Sequence, residues 1–421
     1  MSQTTNSNPE MLAVHGGQPV AQNLSAPPWP PVDEETAEKL KELYLGRSWS
    51  FNGPEEQAFS AEFAAAHDAK FGVFMANGTV TLQCALEACG VGAGDEVIMP
   101  ALTWPATAMA ALYIGATPVF CDIEVSTLCL DPAAFEAAIT DKTRAVIPVH
   151  LFGGMADMEA ILAIAKKHDI AVIEDCAHGQ GGKWNGKGLG SWGDVGSFSF
   201  QQSKTLSSGE GGICLTNDGD LADRLYRAKH IGYGGGTSQG QATQGPPPGL
   251  LCHNFRGTDF QALILRSQLK NLDALIQTYN DNAARLEAGL KDLPGVRVQS
   301  RGRLSGPQNY YAFAMIFDQE PLRDIPLQTI AGAMAAEGLG LGGTYGVVYD
   351  HLLWNIAPEQ FRIVEGGCPV SEEIGTKRTL TLPHPWLGAD KNTMDTIIEI
   401  VRKVACNADA LRDNSLREDM P

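Results

Sequence analysis

From about Asp95 to Asn217 the chain alternates between short apolar runs and stretches of helical period. The runs are DEVIMP, TPVFCDI, AVIPVH, IAVIED, VGSFSF and GGICLTN, with TWPATAMAALYIG and DMEAILAIAKKHD between them. Short runs rich in Val, Ile and Phe, separated by helices, predict a mainly parallel sheet covered on both faces, the α/β class. A Gly/Gln/Pro-rich segment, HIGYGGGTSQGQATQGPPPGLLCHN, follows and reads as a loop over 232–250, long enough to be either functional or unstructured. The next stretch, TDFQALILRSQLKNLDALIQTYNDNAARLEAGLKDL, keeps helical period throughout and predicts one long helix joining two units. VRVQS, YYAFAMIF, LQTIAGAMAAEG and MDTIIEIVRKVACNADAL then predict a smaller α+β unit. The expected division is an N-terminal arm over 1–30, a large domain over 31–288 and a small C-terminal domain over 289–421. The first and last ten residues are expected to fray.

Composition narrows the function classes. The 421 residues are 44% hydrophobic and 19% charged, an ordinary globular composition, and the length suits two domains. With 31 basic against 49 acidic residues the formal charge is -18 and no basic run occurs, which argues against nucleic acid and anionic membranes as partners. The start MSQTTNSNPEMLAVHGG lacks the basic and apolar regions of a signal peptide, and no run is apolar enough to span a bilayer, so the expected location is cytoplasmic. Nine cysteines, an odd number without a C-x-x-C pair, fit reduced and mostly buried thiols better than disulfides or a metal site.

Ligands of open α/β sheets sit beyond the carboxyl ends of the strands. Those ends carry Asp122, His150, the pair Glu174 and Asp175, and the stretch Ser199 to Lys204. Two nucleotide-like motifs fail their context. GLGSWG, Gly188 to Gly193, has no apolar strand before it and no helix after it, and GGKWNGKG ends in glycine where a phosphate loop needs Ser or Thr for magnesium. Both read as turns.

Lys204 follows an apolar strand in SFSFQQSKTLSSGEGG. An amine in a dry site can form a Schiff base with an aldehyde, although a free lysine pKa of about 10.4 leaves it protonated until its surroundings change. Taken alone, it reads better as a solvated turn lysine. Asp175 reads either as a helix cap or as a carboxylate keeping a pyridine ring protonated. His178 is a structural histidine or a partner for that ring's phenolic oxygen. Gly78 and Thr79, in MANGTVTLQCAL, stand at a helix start whose free amides favour a phosphate, and Ser199 would add a hydroxyl. Trp104, in ALTWPATA, is either core or a flat face for an aromatic ring.

Together, SFSFQQSKTLSSGEGG, EDCAHGQGG and HNFRGTDFQA resemble the DegT-type pyridoxal-phosphate-dependent sugar and cyclitol aminotransferases, and the likeness runs from LAVHGGQPV to TLPHPWLG. The resemblance implies the aspartate-aminotransferase-like fold, fold type I, and the cofactor pyridoxal 5'-phosphate. It implies that Lys204 carries the cofactor as a Schiff base and cycles through pyridoxamine phosphate, that Asp175 meets the ring nitrogen and His178 the ring hydroxyl. Trp104 would stack on the ring, and Gly78, Thr79 and Ser199 would hold its phosphate. Asn254 matches an asparagine that reaches the cofactor of the neighbouring subunit, so a homodimer with shared sites is expected. Related dehydratases replace the lysine with histidine, so its retention implies a transaminase. Gln202 stands where nucleotide-sugar members usually have proline, and with His384 in LPHPWLG it points to substrate contacts and to the branch that aminates inosose-type cyclitols with glutamine or glutamate in antibiotic-type secondary metabolism. Nucleotide-linked 3-keto or 4-keto-sugar amination, an aminohydroxybenzoate-forming reaction and a non-catalytic cofactor-binding regulator remain open alternatives.

Overall fold

A computed structural model describes residues 11–237, 240–242, 244–301 and 306–412. The expected frayed ends lie outside these residues, apart from Arg412. In chain order the strands are β1 (Phe71–Met75), β2 (Glu96–Pro100), β3 (Thr117–Cys121), β4 (Thr143–Val146), β5 (Ala171–Asp175), β6 (Lys183–Trp184), β7 (Lys187–Gly188), β8 (Val195–Ser199), β9 (Gly212–Thr216), β10 (Arg297–Val298), β11 (Ala312–Ile316), β12 (Gly342–Gly343), β13 (Arg362–Ile363) and β14 (Thr379–Pro383). Eight of them form one sheet in the order β1-β9-β8-β5-β4-β2-β3-β13. The pairings from β8 through β13 are parallel, and β9 is antiparallel to both neighbours. This is the α/β architecture of fold type I.

Successive side chains on a strand face opposite sides, and both faces are apolar here. Val97 and Met99 enter one core with the helices Gly78–Ala88 and Pro105–Tyr113, while Ile98 enters a second core with the helices Pro132–Ala138 and Met158–His168. Burial on both faces explains why the runs read as unbroken apolar stretches rather than alternating ones. β1 is not among the runs expected from the sequence, since it lies outside the alternating stretch that begins at Asp95.

A separate four-stranded sheet, β10-β11-β14-β12, packs its own core against the helices Leu272–Leu290, Leu327–Ala336 and Lys391–Cys406. Leu12 from the arm is buried in that core. The chain then returns: β13 adds to the edge of the large sheet beside β3, and Asp122 accepts hydrogen bonds from the Val370 and Ser371 amides. A single cut at 289 therefore separates β13 from the sheet it joins.

The expected long helix is two. Asp259–Leu269 begins with a capping box, Thr258 with Gln261, and the helix breaks at Lys270 and Asn271 before Leu272–Leu290. The second piece does link the cores, since Leu272 and Ile276 pack with Phe59 and Trp184 while Tyr279, Leu286 and Leu290 belong to the small core. Among the described residues no helix is long and apolar enough to cross a membrane, and all nine cysteines are free thiols.

Candidate active site

At the carboxyl ends of β5 and β8 lies a cavity of about 650 Å³. Of the residues expected to act, it brings together Gly78, Thr79, Trp104, Asp175, His178, Ser199 and Lys204. Asn77 caps the helix Gly78–Ala88 by accepting from the Val80 amide at 3.1 Å. Among the described residues the Gly78 and Thr79 amides have no acceptor, so two helix-start donors face the cavity beside the Ser199 hydroxyl. Gly78 is required by close approach, because a Cβ there would lie 2.7 Å from the Ser199 Cβ.

Asp175 ends β5, almost fully buried. Its Oδ2 accepts from the Thr107 hydroxyl at 2.8 Å and its Oδ1 from the Ala177 amide at 3.1 Å. Burial raises its proton affinity, while the Ala177 amide, the Thr107 hydroxyl and the Lys204 charge work against that rise. A carboxylate held this way is built to meet a cationic partner.

The tautomer of His178 can be assigned from its neighbours. Its Nδ1 faces the Phe152 amide at 3.2 Å and must accept, so the proton is on Nε2, which lies 3.3 Å from the Tyr345 hydroxyl. Phe152 reaches this position with φ 58°, an unusual left-handed conformation for a bulky residue. Burial pushes the His178 pKa well down, so the ring is neutral and donates through Nε2. It stacks on Tyr311, with centroids 3.9 Å apart and planes within 8°.

Lys204 leaves the loop after β8 with its Nζ over the Tyr311 ring, 4.5 Å from the centroid. Burial lowers its pKa, with Tyr311 and Asp175 opposing that shift, so more of the free amine is present than on a solvated lysine. Trp104 precedes the helix Pro105–Tyr113 and keeps 44% of its surface exposed at the cavity.

Three expected residues lie elsewhere. Gln202 lines a neighbouring cavity with Pro30, Asp33 and Gln268, because its backbone turns to donate to the Gly209 carbonyl; Gln201 lines the main cavity instead. His384 is buried and outside the cavity lining, with both ring nitrogens engaged by Tyr279 and the Ser203 carbonyl. Asn254 is exposed and also outside it. Sequence reasoning missed Thr107, Tyr311, Tyr345 and Glu210, which line the cavity. The adjacent tyrosines of YYAFAMIF were the available signal for Tyr311; Tyr345 and Thr107 gave none. No described residue of 232–250 lines the cavity; instead Arg227 Nη1 donates to carbonyls at Gly232 and Gly245.

The two discarded motifs have structural roles. The amides of Gly190, Trp192 and Gly193 in GLGSWG all donate to the buried Glu174 carboxylate, which also accepts from His150 Nε2 at 3.1 Å. The glycine-rich loop thus holds an internal carboxylate instead of a phosphate. Burial works to raise the Glu174 pKa, but His150 and these amides outweigh it and hold the group below the usual range. His150, Glu174 and Cys176 do converge within 4.8 Å. Both imidazole nitrogens and both carboxylate oxygens are already hydrogen-bonded, and burial pushes the Cys176 thiol pKa well up, so the cluster reads as a brace at the end of β5. GGKWNGKG is the β6–β7 hairpin, turning at Asn185 and Gly186 with positive φ.

Lysine, carboxylate and helix-start amides converging at the carboxyl ends of a largely parallel sheet define a group-transfer enzyme of the fold type I class. The chain belongs to the DegT/DnrJ/EryC1/StrS aminotransferase family, which it matches over residues 30–402, and it is an aminotransferase. It is 36% identical to an L-glutamine:2-deoxy-scyllo-inosose aminotransferase of Micromonospora echinospora, across 96% of this chain and 99% of that one. Among solved structures, 3-amino-5-hydroxybenzoic acid synthase superposes with a TM-score of 0.80 at 27% identity, covering 90% of this chain and 98% of that one. DesI in the presence of its TDP-sugar product gives 0.81 at 27% identity, covering 96% and 98%.

Proposed function

We propose that the chain binds pyridoxal 5'-phosphate and moves the amino group of glutamine onto an uncharged keto-cyclitol in antibiotic-type biosynthesis, in the cytoplasm. The donor rests on the relatives' names. The acceptor rests on one observation: Lys204 is the sole lysine or arginine among the described residues lining the cavity, against the carboxylates of Asp175 and Glu210. A nucleotide diphosphate calls for cationic partners, whereas Gln201, Ser203, Thr103, Tyr311 and Tyr345 offer hydroxyl and amide groups suited to a polyol.

The donor set fits the cofactor. Gly78, Thr79 and Ser199 would hold its phosphate, Asp175 its ring nitrogen, His178 Nε2–H its phenolic oxygen, Trp104 a ring face and Lys204 its aldehyde carbon. Pyridoxal phosphate, when bound, supplies a carbonyl that condenses with amines and a ring that accepts the electrons left by a departing proton. Asp175 keeps positive charge favourable at the buried end, and neutral His178 donates without adding charge. Lys204 Nζ, with its basicity lowered, is the group placed to take a proton from the donor's α-carbon and return it. The exposed Trp104 and Tyr113 at the cavity and the outlying Asn254 support a homodimer in which a second copy completes the site.

Comparing kcat/KM for 2-deoxy-scyllo-inosose and for a thymidine-diphosphate keto-sugar, with glutamine as donor, tests the acceptor class. Preference for the cyclitol supports it; preference for the nucleotide sugar overturns it.

A further inference from the structure

The loop that carries Lys204 is held from outside the sheet that generates it. The Ser203 carbonyl accepts from His384 Nε2 at 2.9 Å, and the next carbonyl, that of Lys204, accepts from the Trp29 indole at 3.1 Å. The Ser203 and Tyr311 hydroxyls lie 3.0 Å apart, and the Thr205 hydroxyl donates to Asn309 Oδ1 at 2.8 Å. Trp29 belongs to the arm, while His384 follows β14 and Tyr311 precedes β11, in the smaller sheet.

Hydrogen-bond chemistry fixes the state of His384. A carbonyl can only accept, so Nε2 carries the proton; Nδ1 is then bare and accepts from the Tyr279 hydroxyl at 3.0 Å. Burial pushes the pKa of His384 down to about 4, so this tautomer persists at neutral pH. The ring also meets Trp29 edge-on, with centroids 4.6 Å apart and planes at 90°, which joins the two carbonyl donors into one unit. Neither nitrogen is left over for a substrate.

We propose that His384, with its tautomer set by the Ser203 carbonyl and its Nδ1 held by Tyr279, is a positioning residue for Lys204, and that Trp29 completes the same clasp. Two consecutive carbonyls pinned by rigid aromatic donors fix the backbone from which the lysine side chain springs, which keeps Nζ over Tyr311 and inside the cavity. The inference rests on Lys204 being the residue that attaches pyridoxal phosphate.

The test follows capture of the cofactor rather than turnover. Apoprotein is mixed with pyridoxal phosphate and sampled into borohydride, and the mass gain on the Lys204 peptide gives a rate; acetic anhydride labelling of the apoprotein across pH reports the same amine without cofactor. His384→Leu is expected to slow capture by about tenfold and to move the Lys204 labelling midpoint to higher pH, as the side chain gains water. His384→Gln, which can place an amide N–H where Nε2 stands, is expected to restore most of the rate. Tyr279→Phe and Trp29→Phe each remove one donor and are expected to act in the same direction; they decide the matter if His384→Leu does not fold. Unchanged capture and labelling in these variants, or equal losses in the Leu and Gln variants, would overturn the clasp. Failure of the unsubstituted protein to capture at Lys204, with the labelling shifts intact, would instead remove the cofactor assignment and leave the clasp standing.

Discussion

Thr107, in the first turn of the helix Pro105–Tyr113, donates its hydroxyl proton to Asp175 Oδ2 across 2.8 Å, and Thr103 lies 3.0 Å behind it. A hydroxyl has one proton, so Thr107 must accept from Thr103, and the relay ends on the carboxylate. Thr107→Val keeps the shape and removes the last donor. A hydrogen bond to a charged group is worth about 1.5–3 kcal/mol, so affinity for pyridoxal phosphate, titrated into apoprotein, is expected to fall by at least about tenfold. An unchanged affinity would show that Asp175 does not need this partner.

Glu174→Gln tests whether the buried cluster beside β5 is a brace. The substitution turns one acceptor into a donor facing backbone amides and His150, in a fully buried site. The expected loss is about 3 kcal/mol in urea unfolding. Chelators are expected to change nothing, since the His150 nitrogens and Glu174 oxygens are already hydrogen-bonded and burial keeps the Cys176 thiol protonated.

Acid sensitivity follows from buried histidines, His178 and His230 among them, and two others show the sign. His384 accepts at Nδ1 from Tyr279, and His67 accepts at Nε2 from the Gly181 amide at 2.9 Å; burial depresses both pKa values to about 4. The unfolded chain, with histidines near 6.5, binds more protons in between, so the stability they contribute is complete above about pH 6.5 and is lost as pH falls through about 4. The slope is about 1.4 kcal/mol per pH unit for each histidine. Urea midpoints measured from pH 7 to 4 are expected to drop over this window, and less steeply in His384→Gln.

Gly78→Ala separates helix propensity from the close approach. Alanine favours a helix over glycine by about 1 kcal/mol, yet its Cβ would press on Ser199. The helix start must shift, and binding of pyridoxal phosphate is expected to weaken by about tenfold or more, with the folded protein otherwise intact by circular dichroism. Unaltered binding would mean that the phosphate is held elsewhere.

The β-αβ order and the residues at the strand ends were legible because each lies within one local run: the apolar run fixes the strand, and Asp175 or Lys204 simply follows it. Gln202 and His384 stand outside the cavity lining for reasons no local run carries. The Gln202-to-Gly209 backbone bond points Gln201 rather than Gln202 into the cavity, and His384 is taken up by Tyr279, more than a hundred residues earlier. Tyr345 and Thr107 were invisible for the same reason, since only tertiary packing brings them to His178 and Asp175. The break at Lys270 and Asn271 is not legible in the sequence, because neither residue is a strong helix breaker and the apolar period continues across it.

The most direct measurement is the fate of the α-nitrogen of glutamine. With α-15N-glutamine and 2-deoxy-scyllo-inosose, the account predicts 15N in the aminocyclitol, detected by mass spectrometry, and none with Lys204→Ala. Label that never reaches the cyclitol but does reach a nucleotide-linked keto-sugar would contradict it.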